Sequence, residues 1–381
     1  MMPILIIGAG FAGAASAYFL SQIPGLKIRL VEREVTFGLQ ASGKNAAMLR
    51  QAVSDLQTAR RIQETLRFLQ DPPADFRKFS LFEKTGSLLL GDKQKLTRLY
   101  ENLQKVGGCS QWVSTKKLPT ALPSWLQAVF PANTEIDGLF CPDDGIIHLK
   151  NFLGGLLAGA EQRGVEIFYH HEVTEILPTG HFWQIRHGAE KFQASAIVNA
   201  AGAWCDSLIR MAGLKELNLV PHRRHLFMSR GWKFCNEGLP LVWDVEREVY
   251  FRPDRKEVML SPGDETPHPA VSPPLDPGAE SLLVEKLHQA FPGLAPLSFG
   301  ERWACLRTKN RDGTMCVKKL LEKPGYFTVA GLGGHGVGAS MGLGSALRDQ
   351  VRDWLGHRED NEIFRVTDKK KGSKSPALGN G

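Results

Sequence analysis

The 381-residue sequence has only six cysteines: Cys109, Cys141, Cys205, Cys235, Cys305 and Cys316. None forms a Cys-x-x-Cys pair or a metal-ligand spacing, so no metal site and no disulfide framework is expected. They read as reduced thiols in a reducing compartment, and a cytoplasmic location is expected. No run of about twenty apolar residues occurs, so no membrane span is expected. The start is apolar but lacks a basic segment and a cleavage site, so no signal peptide is expected. An acidic excess is lacking too: 47 Lys and Arg against 40 Asp and Glu leave +7. Lys369, Lys370, Lys371 and Lys374 account for part of that excess, so the body is only mildly basic. Its cations are not interleaved with exposed aromatics, which argues against a nucleic-acid partner. They suit anionic small molecules or simple solubility. With 43% hydrophobic and 23% charged residues, the chain is too apolar to be disordered. The exception is the Lys/Gly/Ser/Pro tail.

The most informative stretch is Ile4-Leu5-Ile6-Ile7 followed by Gly8-Ala9-Gly10-Phe11-Ala12-Gly13. Four apolar residues read as a buried parallel strand, and Ala14 to Leu20 as a helix with small residues on one face. In this Gly-x-Gly-x-x-Gly pattern, Gly8 permits a tight turn. Gly10 lets the backbone approach a pyrophosphate, and Gly13 lets the helix pack close on the strand. The helix N-terminus aims free N–H groups and a positive dipole end at the phosphates. A second strand, Ile28 to Val31, ends at Glu32, where a ribose hydroxyl needs a carboxylate.

Along the chain, residues 37–48 read as a loop of small residues running into a helix. Helices are expected over 54–70, 94–106, 149–163 and 280–291, and from Ala339 to about Trp354. Strands are expected over 83–91, 165–173, 196–204, 222–229, 248–252, 256–261 and 325–330, with a hairpin around Gly188. The 106–149 region reads as loop-rich, and 267–277 as a Pro-rich loop. No internal repeat appears. A second strand–glycine–helix junction lies at Gly331 to Gly338. The dinucleotide fold is left early and re-entered near 196 and 325, which suits a long cofactor lying across a discontinuous domain with a β-rich insertion.

At this point the sequence resembles the FAD-dependent amino-acid and amine oxidoreductases of the D-amino-acid oxidase, glycine oxidase and sarcosine oxidase type. The resemblance covers roughly residues 3–356. Four segments carry it: Gly8 to Ala14; Val198 to Asp206; Pro221 to Phe227; and Trp303 to Arg307 together with Gly333 to Val337. Within the family the likeness is greatest to the bacterial D-arginine dehydrogenases. The implied fold is α/β (α+β overall), with a discontinuous Rossmann-like FAD-binding domain (1–82, 145–220, 300–365). A β-rich substrate domain (83–144, 221–299) is inserted, and 366–381 form a disordered basic tail. The resemblance implies FAD, with Gly8, Gly10, Phe11, Ala12, Gly13, Glu32 and Arg33 on the ADP half. Ser42, Gly43, Asn45, Ala46 and Ala47 would meet phosphate and flavin. Val173 would meet the adenine, and Ala201, Gly202 and Trp204 a second phosphate-side turn. Gly333, Gly334, His335, Gly336 and Val337 match the helix start below the flavin. Cys305 matches the position at which sarcosine oxidases link the flavin covalently. Here a small buried thiol and noncovalent FAD are expected, because attachment needs an activated thiolate.

The resemblance also implies a carboxylate anchor at Arg307, whose planar fork makes paired charge-assisted bonds. Tyr250 joins it and Arg224 lies near the substrate, while His335 touches substrate, tunes the flavin or caps a helix. The D-arginine dehydrogenases place a histidine, a tyrosine and an acid where this chain has Met48, Val53 and Ser87. A substrate guanidinium would be left without a partner there, so a small or apolar side chain is expected. Arg50 and Lys44 nearby favour an acidic one. The expected reaction is FAD-dependent oxidation of the C–N bond of a D-amino acid or secondary amino acid, with oxygen or a quinone as electron acceptor. Two alternatives stay open: a flavin amine oxidase acting on a modified tRNA uridine, and a flavin-binding protein without turnover.

Overall fold

Ile4 to Ile7 alternate between two cores, and that alternation sets the architecture. Residues 2–114, 128–130, 137–232, 238–254, 256–320 and 325–371 are described by the computed structural model. A six-stranded sheet runs Cys316–Leu320, Tyr326–Ala330, Ala196–Asn199, Ile4–Ile7, Ile28–Val31 and Glu166–Phe168. All neighbours pair in parallel except the Cys316–Leu320 edge. Ile4 and Ile6 face the helices Phe11–Leu20, Leu149–Glu161 and the start of Ser340–Lys371. Leu5 and Ile7 face a three-stranded antiparallel sheet (Val173–Thr179, Phe182–His187, Glu190–Ala194) and the helix Cys205–Met211. Both faces are therefore apolar, as a parallel sheet requires, and each fully buried Ile or Leu contributes about 1.5–3 kcal/mol. No helix of the described residues is long and apolar enough to cross a membrane.

The second large element is a nine-stranded sheet containing Ser87–Leu90, Asp137–Cys141, Val220–Arg230, Leu241–Asp244, Val249–Asp254, Glu257–Ser261 and Phe299–Lys309. Its two-residue period sorts the side chains. Phe227, Val242, Phe251, Leu260 and Leu88 point to a core against the helix Ala279–Ala290. On the opposite face the register brings together Arg224 with Cys305, His222 with Arg307, and Trp243 with Tyr250.

Several expectations are revised. Residues 37–48 do not enter a helix: Met48–Leu49 pairs antiparallel with Gly145–Ile147. The next helix starts at Leu56, because Asp55 caps it by accepting from the Thr58 amide at 2.8 Å. The 83–91 strand splits at Gly86 (φ +79°) into Phe82–Glu83 and Ser87–Leu90, which serve different sheets. The 165–173 strand splits at His170 (φ +60°) in the same way. Within 106–149, read as loop-rich, the strands Gln111–Ser114, Asp137–Cys141 and Gly145–Ile147 form. Phe299–Lys309, on the cofactor side of the expected boundary at 300, pairs with Val220–Arg230 in the nine-stranded sheet. Its alternation of charged and apolar residues hides a strand whose inward face is itself polar. The last helix runs past Trp354 to Lys371, taking in the first residues of the expected tail, where Arg, Glu and Lys favour helix. Residues 372–381 lie outside the described residues.

Candidate active site

An elongated cavity runs across the C-terminal ends of the parallel strands, the usual ligand position in such sheets. Gly8, Gly10, Phe11, Ala12, Glu32, Arg33, Ser42, Asn45, Val173, Ala201, Gly202 and Trp204 line it at one end and along its length. Cys305, Arg307, Gly333, Gly334, Gly336 and Val337 line the other end. Of the remaining expected residues, Gly13, Gly43, Ala46, Ala47, His335, Tyr250 and Arg224 stand behind the wall, and the reasons differ.

Gly13 is there for packing. A Cβ on it would sit 1.8 Å from the Gly8 carbonyl oxygen, and Gly8 itself has φ +106°. The helix thus starts hard against the first strand. Its first i→i+4 bond runs from the Ala14 amide to the Gly10 carbonyl (2.9 Å), so the amides of Ala12 and Gly13 have no intrahelical acceptor. The Phe11 amide donates to Ser42 Oγ at 3.0 Å. A Cβ on Gly10 would lie 2.7 Å from that oxygen. Glu32 is held rigidly: Oε2 accepts from the Ala9 amide at 2.7 Å and Oε1 from the Glu34 amide at 3.0 Å. Arg33 lies 3.7 Å over the Trp204 ring. Free amides at a helix start, a fixed carboxylate and a cavity floored by glycine suit a dinucleotide with a ribose at one end and a pyrophosphate beside Gly10.

The 41–47 loop is fastened from two directions. Asn45 Nδ2 donates to the carbonyls of Ala41 and Ser42, both at 2.9 Å, while Asn45 Oδ1 accepts from the Ala47 amide at 2.8 Å. From the large sheet, Trp303 Nε1 donates to the Lys44 carbonyl (3.0 Å) and Arg252 Nε to the Ala46 carbonyl (2.7 Å). These bonds turn Ala46 and Ala47 away from the cavity, and Gly43 packs on the Gly38 carbonyl instead of lining the wall. Trp303 and Arg252 are positioning residues that sequence reasoning missed. Their partners are backbone carbonyls, which leave no sequence signature.

At the far end, Arg307 Nη2 donates to the Tyr250 hydroxyl at 3.1 Å. Tyr250 is fully buried, and its ring packs 4.7 Å from Trp243. Arg307 reaches over Gly334, where a Cβ would come within 2.8 Å of Nη1. Arg224 is 1% exposed; Nη2 pairs with Glu265 at 2.7 Å, while Nε and Nη1 have no hydrogen-bond partner among the described residues. Lys309 pairs with the other oxygen of Glu265. His335 lies in the turn before the last helix, which begins at Ser340, later than expected. Its backbone carbonyl accepts the Ala339 amide at 2.9 Å and starts the helical bonding. Burial, with positive charge from Arg50, Arg307 and Lys309, pushes the His335 imidazole down to about 3, so it is neutral at physiological pH. Burial pushes the Cys305 thiol up, against the opposing pull of Arg307 and Arg224.

Of Met48, Val53 and Ser87, only Ser87 belongs to a buried polar network. Ser87 Oγ donates to Asp144 Oδ2 at 2.5 Å. The Gln51 amide and Nε2 donate to Asp144 Oδ1 at 3.1 and 2.8 Å. Burial raises the Asp144 carboxyl to about 6. Met48 is half-buried, and Val53 is buried in the helical core.

Comparison with known proteins agrees with this geometry. A family model described as "FAD dependent oxidoreductase" matches residues 3–350. Monomeric sarcosine oxidase of Bacillus sp. (strain B-0618) is 24% identical, covering 90% of each chain. L-2-hydroxyglutarate dehydrogenase of Escherichia coli (strain K12) is 23% identical over 60% of this chain, which spans about half (54%) of that protein. The crystal structure of L-proline dehydrogenase from P. horikoshii superposes with a TM-score of 0.79 at 18% identity, covering 92% of this chain and 93% of that one. The chain belongs to the FAD dependent oxidoreductase family, and FAD is its cofactor.

Proposed function

We propose that this FAD-dependent oxidoreductase oxidises the C–N bond of a D-amino acid or secondary amino acid. The observation that carries the reading is the Arg307–Tyr250 pair, 3.1 Å apart at the end of the cofactor cavity. Arg307 has no carboxylate within ion-pair reach among the described residues, and a substrate carboxylate supplies one through two parallel N–H···O bonds. Tyr250, fully buried behind the wall, fixes the fork through its hydroxyl. Held this way, the substrate presents its α C–H to the flavin, and positioning supplies most of the rate. FAD, held by the residues lining the cavity, would supply the hydride acceptor for the α-carbon. The imine product then hydrolyses to a keto acid and ammonia, or to an aldehyde where an N-alkyl carbon was oxidised.

A 2-hydroxy acid would offer the same carboxylate, and the electrostatics argue against it. Oxidising an alcohol requires a base for the hydroxyl proton. Of the imidazoles near Arg307, His335 has its conjugate acid pushed down to about 3 and accepts a proton poorly. An amine needs no such base. The cations around the pocket disfavour its ammonium form, so it sheds the proton to solvent on entry. The test is anaerobic mixing of the yellow protein with panels of D-, L- and N-alkyl amino acids and of 2-hydroxy acids, following loss of flavin absorbance. Bleaching by amino acids and not by hydroxy acids is expected. Bleaching by hydroxy acids alone overturns the reading, and no bleaching at all would leave a flavin-binding protein without turnover.

A further inference from the structure

The arginine that the carboxylate anchor does not use is Arg50. It follows the Met48–Leu49 strand, and its guanidinium stacks 4.1 Å from the Trp243 ring. Trp243 packs in turn on Tyr250, ring centroids 4.7 Å apart, and Tyr250 holds Arg307. Arg50 and Arg307 thus flank one aromatic shelf. Arg50 donates to the Ala52 carbonyl at 3.2 Å, and among the described residues it makes no ion pair. The acids that act on it do so at longer range: Asp144, already bonded to Ser87 and Gln51, and the exposed Glu248. It is desolvated by the elements around it and is half-buried.

The charges do not balance here. Arg50, Arg224, Arg307 and Lys309 are close enough to influence His335 or one another, and Glu265 is the carboxylate in direct contact with members of the group. Arg224 is sealed, with two orphaned N–H-bearing atoms, and can offer little to a mobile ligand beyond its field. One substrate carboxylate on Arg307 leaves Arg50 unmatched. A cationic side chain would be repelled, and a neutral one would leave a desolvated guanidinium without a counter-charge.

We infer that Arg50 binds a second acid group, so that the substrate is an acidic amino acid carrying its α-carboxylate on Arg307 and its distal acid on Arg50. With Arg50 stacked on Trp243 and Arg307 held by Tyr250, the two guanidiniums beside one aromatic pair offer a charge-assisted bond to each end of a diacid. This rests on the amino-acid reading above, and the test separates the two.

The measurement is perturbation of the flavin absorbance of the holoenzyme by acids that cannot be oxidised, glutarate and succinate against butyrate and propionate. The diacids are expected to bind at least about tenfold more tightly than butyrate and propionate, which differ from them by a hydrogen in place of the second carboxylate. In Arg50→Met that advantage should fall to about twofold or less while monoacid affinity is kept, which also reports an intact site. Arg50→Lys should retain part of it. Equal affinity for mono- and diacids in the wild type overturns the inference, as does a diacid preference that survives Arg50→Met. Should Arg50→Met fail to hold flavin, the wild type decides: bleaching by glutamine as fast as by glutamate, in either enantiomer, overturns it. Bleaching by neutral amino acids with no diacid preference removes the role of Arg50 and leaves amine oxidation standing. Diacid preference with no bleaching by any amino acid does the reverse.

Discussion

The two ends of the cofactor cavity are built from different materials. The ADP end is backbone: the turn at Gly8, the amides of Ala12 and Gly13, and one carboxylate, Glu32, held by two further amides. The end proposed for the substrate is side chain: Arg224, Tyr250 and Arg307 on strands far apart in sequence, with Arg50 just after the Met48–Leu49 strand. Backbone recognition suits a ligand that never changes, because main-chain donors are the same in any sequence that makes the turn. Side-chain recognition can be rewritten one residue at a time, since each side chain is set by its own position in the sequence.

If the contrast is right, damage at the backbone end should remove the flavin and damage at the side-chain end should remove only the substrate. Gly10→Val is the harshest test. Its side chain enters the space beside Ser42 Oγ, displaces the hydroxyl that holds the Phe11 amide, and fills the place required by the pyrophosphate. The purified variant should be colourless while its circular dichroism stays close to wild type. A yellow Gly10→Val protein would break the assignment of this end.

Arg307→Ala is the matching change at the other end. The flavin should stay bound, and kcat/KM on amino acids should fall by about 3–5 kcal/mol, roughly two to four powers of ten. Arg307→Lys keeps the charge without the fork and should be intermediate. Tyr250→Phe removes one hydrogen bond to a charged group and should cost about 1.5–3 kcal/mol. Decarboxylated amines should be largely spared in all three. Equal losses on an amino acid and its amine would mean that Arg307 serves the fold, with the carboxylate read elsewhere.

The contrast also explains what could be read before the fold was known. The ADP end is local: strand, glycines, helix, strand and Glu32 fall within about thirty residues, and each spacing carries its reason. The substrate end exists only through register. Arg224 meets Cys305, and Trp243 meets Tyr250, through strand pairings that no short-range pattern specifies. Arg307, Tyr250 and Arg224 were reachable through family resemblance. The bonds made by Trp303 and Arg252, and the Ser87–Asp144–Gln51 network, were not, because a side chain bonded to a distant carbonyl, or a serine paired with an aspartate across some fifty residues, looks like any other polar residue. The strand Phe299–Lys309 escaped for the same reason: its functional face is polar, so its hydrophobic alternation is weak.

A smaller effect tests whether the polar network behind Arg50 is a burden on the fold. Asp144 is buried with its carboxyl raised from 3.8 to about 6. Between those values the folded state holds more protons than the unfolded state, so this group's contribution to stability falls as pH rises from about 4 to about 6 and is flat beyond. A shift of about two units corresponds to roughly 3 kcal/mol. Asp144→Asn does not titrate and keeps an acceptor for Gln51. Denaturant midpoints of the two proteins should therefore diverge by up to about that amount in favour of the variant between pH 4 and pH 7.5. A constant difference would mean that Arg50 holds Asp144 ionised throughout, and that the two act as one charge pair.

The smallest expected effect lies where the two ends meet. Cys305 lines the cavity two residues before Arg307 on the same strand face, the place where a thiol could tie the flavin down covalently. Attachment needs a thiolate, and two influences compete for it. Burial opposes the charge, while Arg307 and Arg224 favour it; burial is the larger, and the thiol is held above its ordinary range. At neutral pH the sulfur is therefore protonated, a small apolar filler of the cavity wall. Acid denaturation should leave the flavin in the supernatant, and Cys305→Ala should leave flavin occupancy and spectrum as they are, at a cost of about 1 kcal/mol in stability for the small cavity. Flavin that precipitates with the protein and is released by Cys305→Ala would show that the arginines outweigh burial at this sulfur. The substrate-end cations would then also hold the cofactor, and the division between a backbone end for FAD and a side-chain end for substrate would fail at this residue.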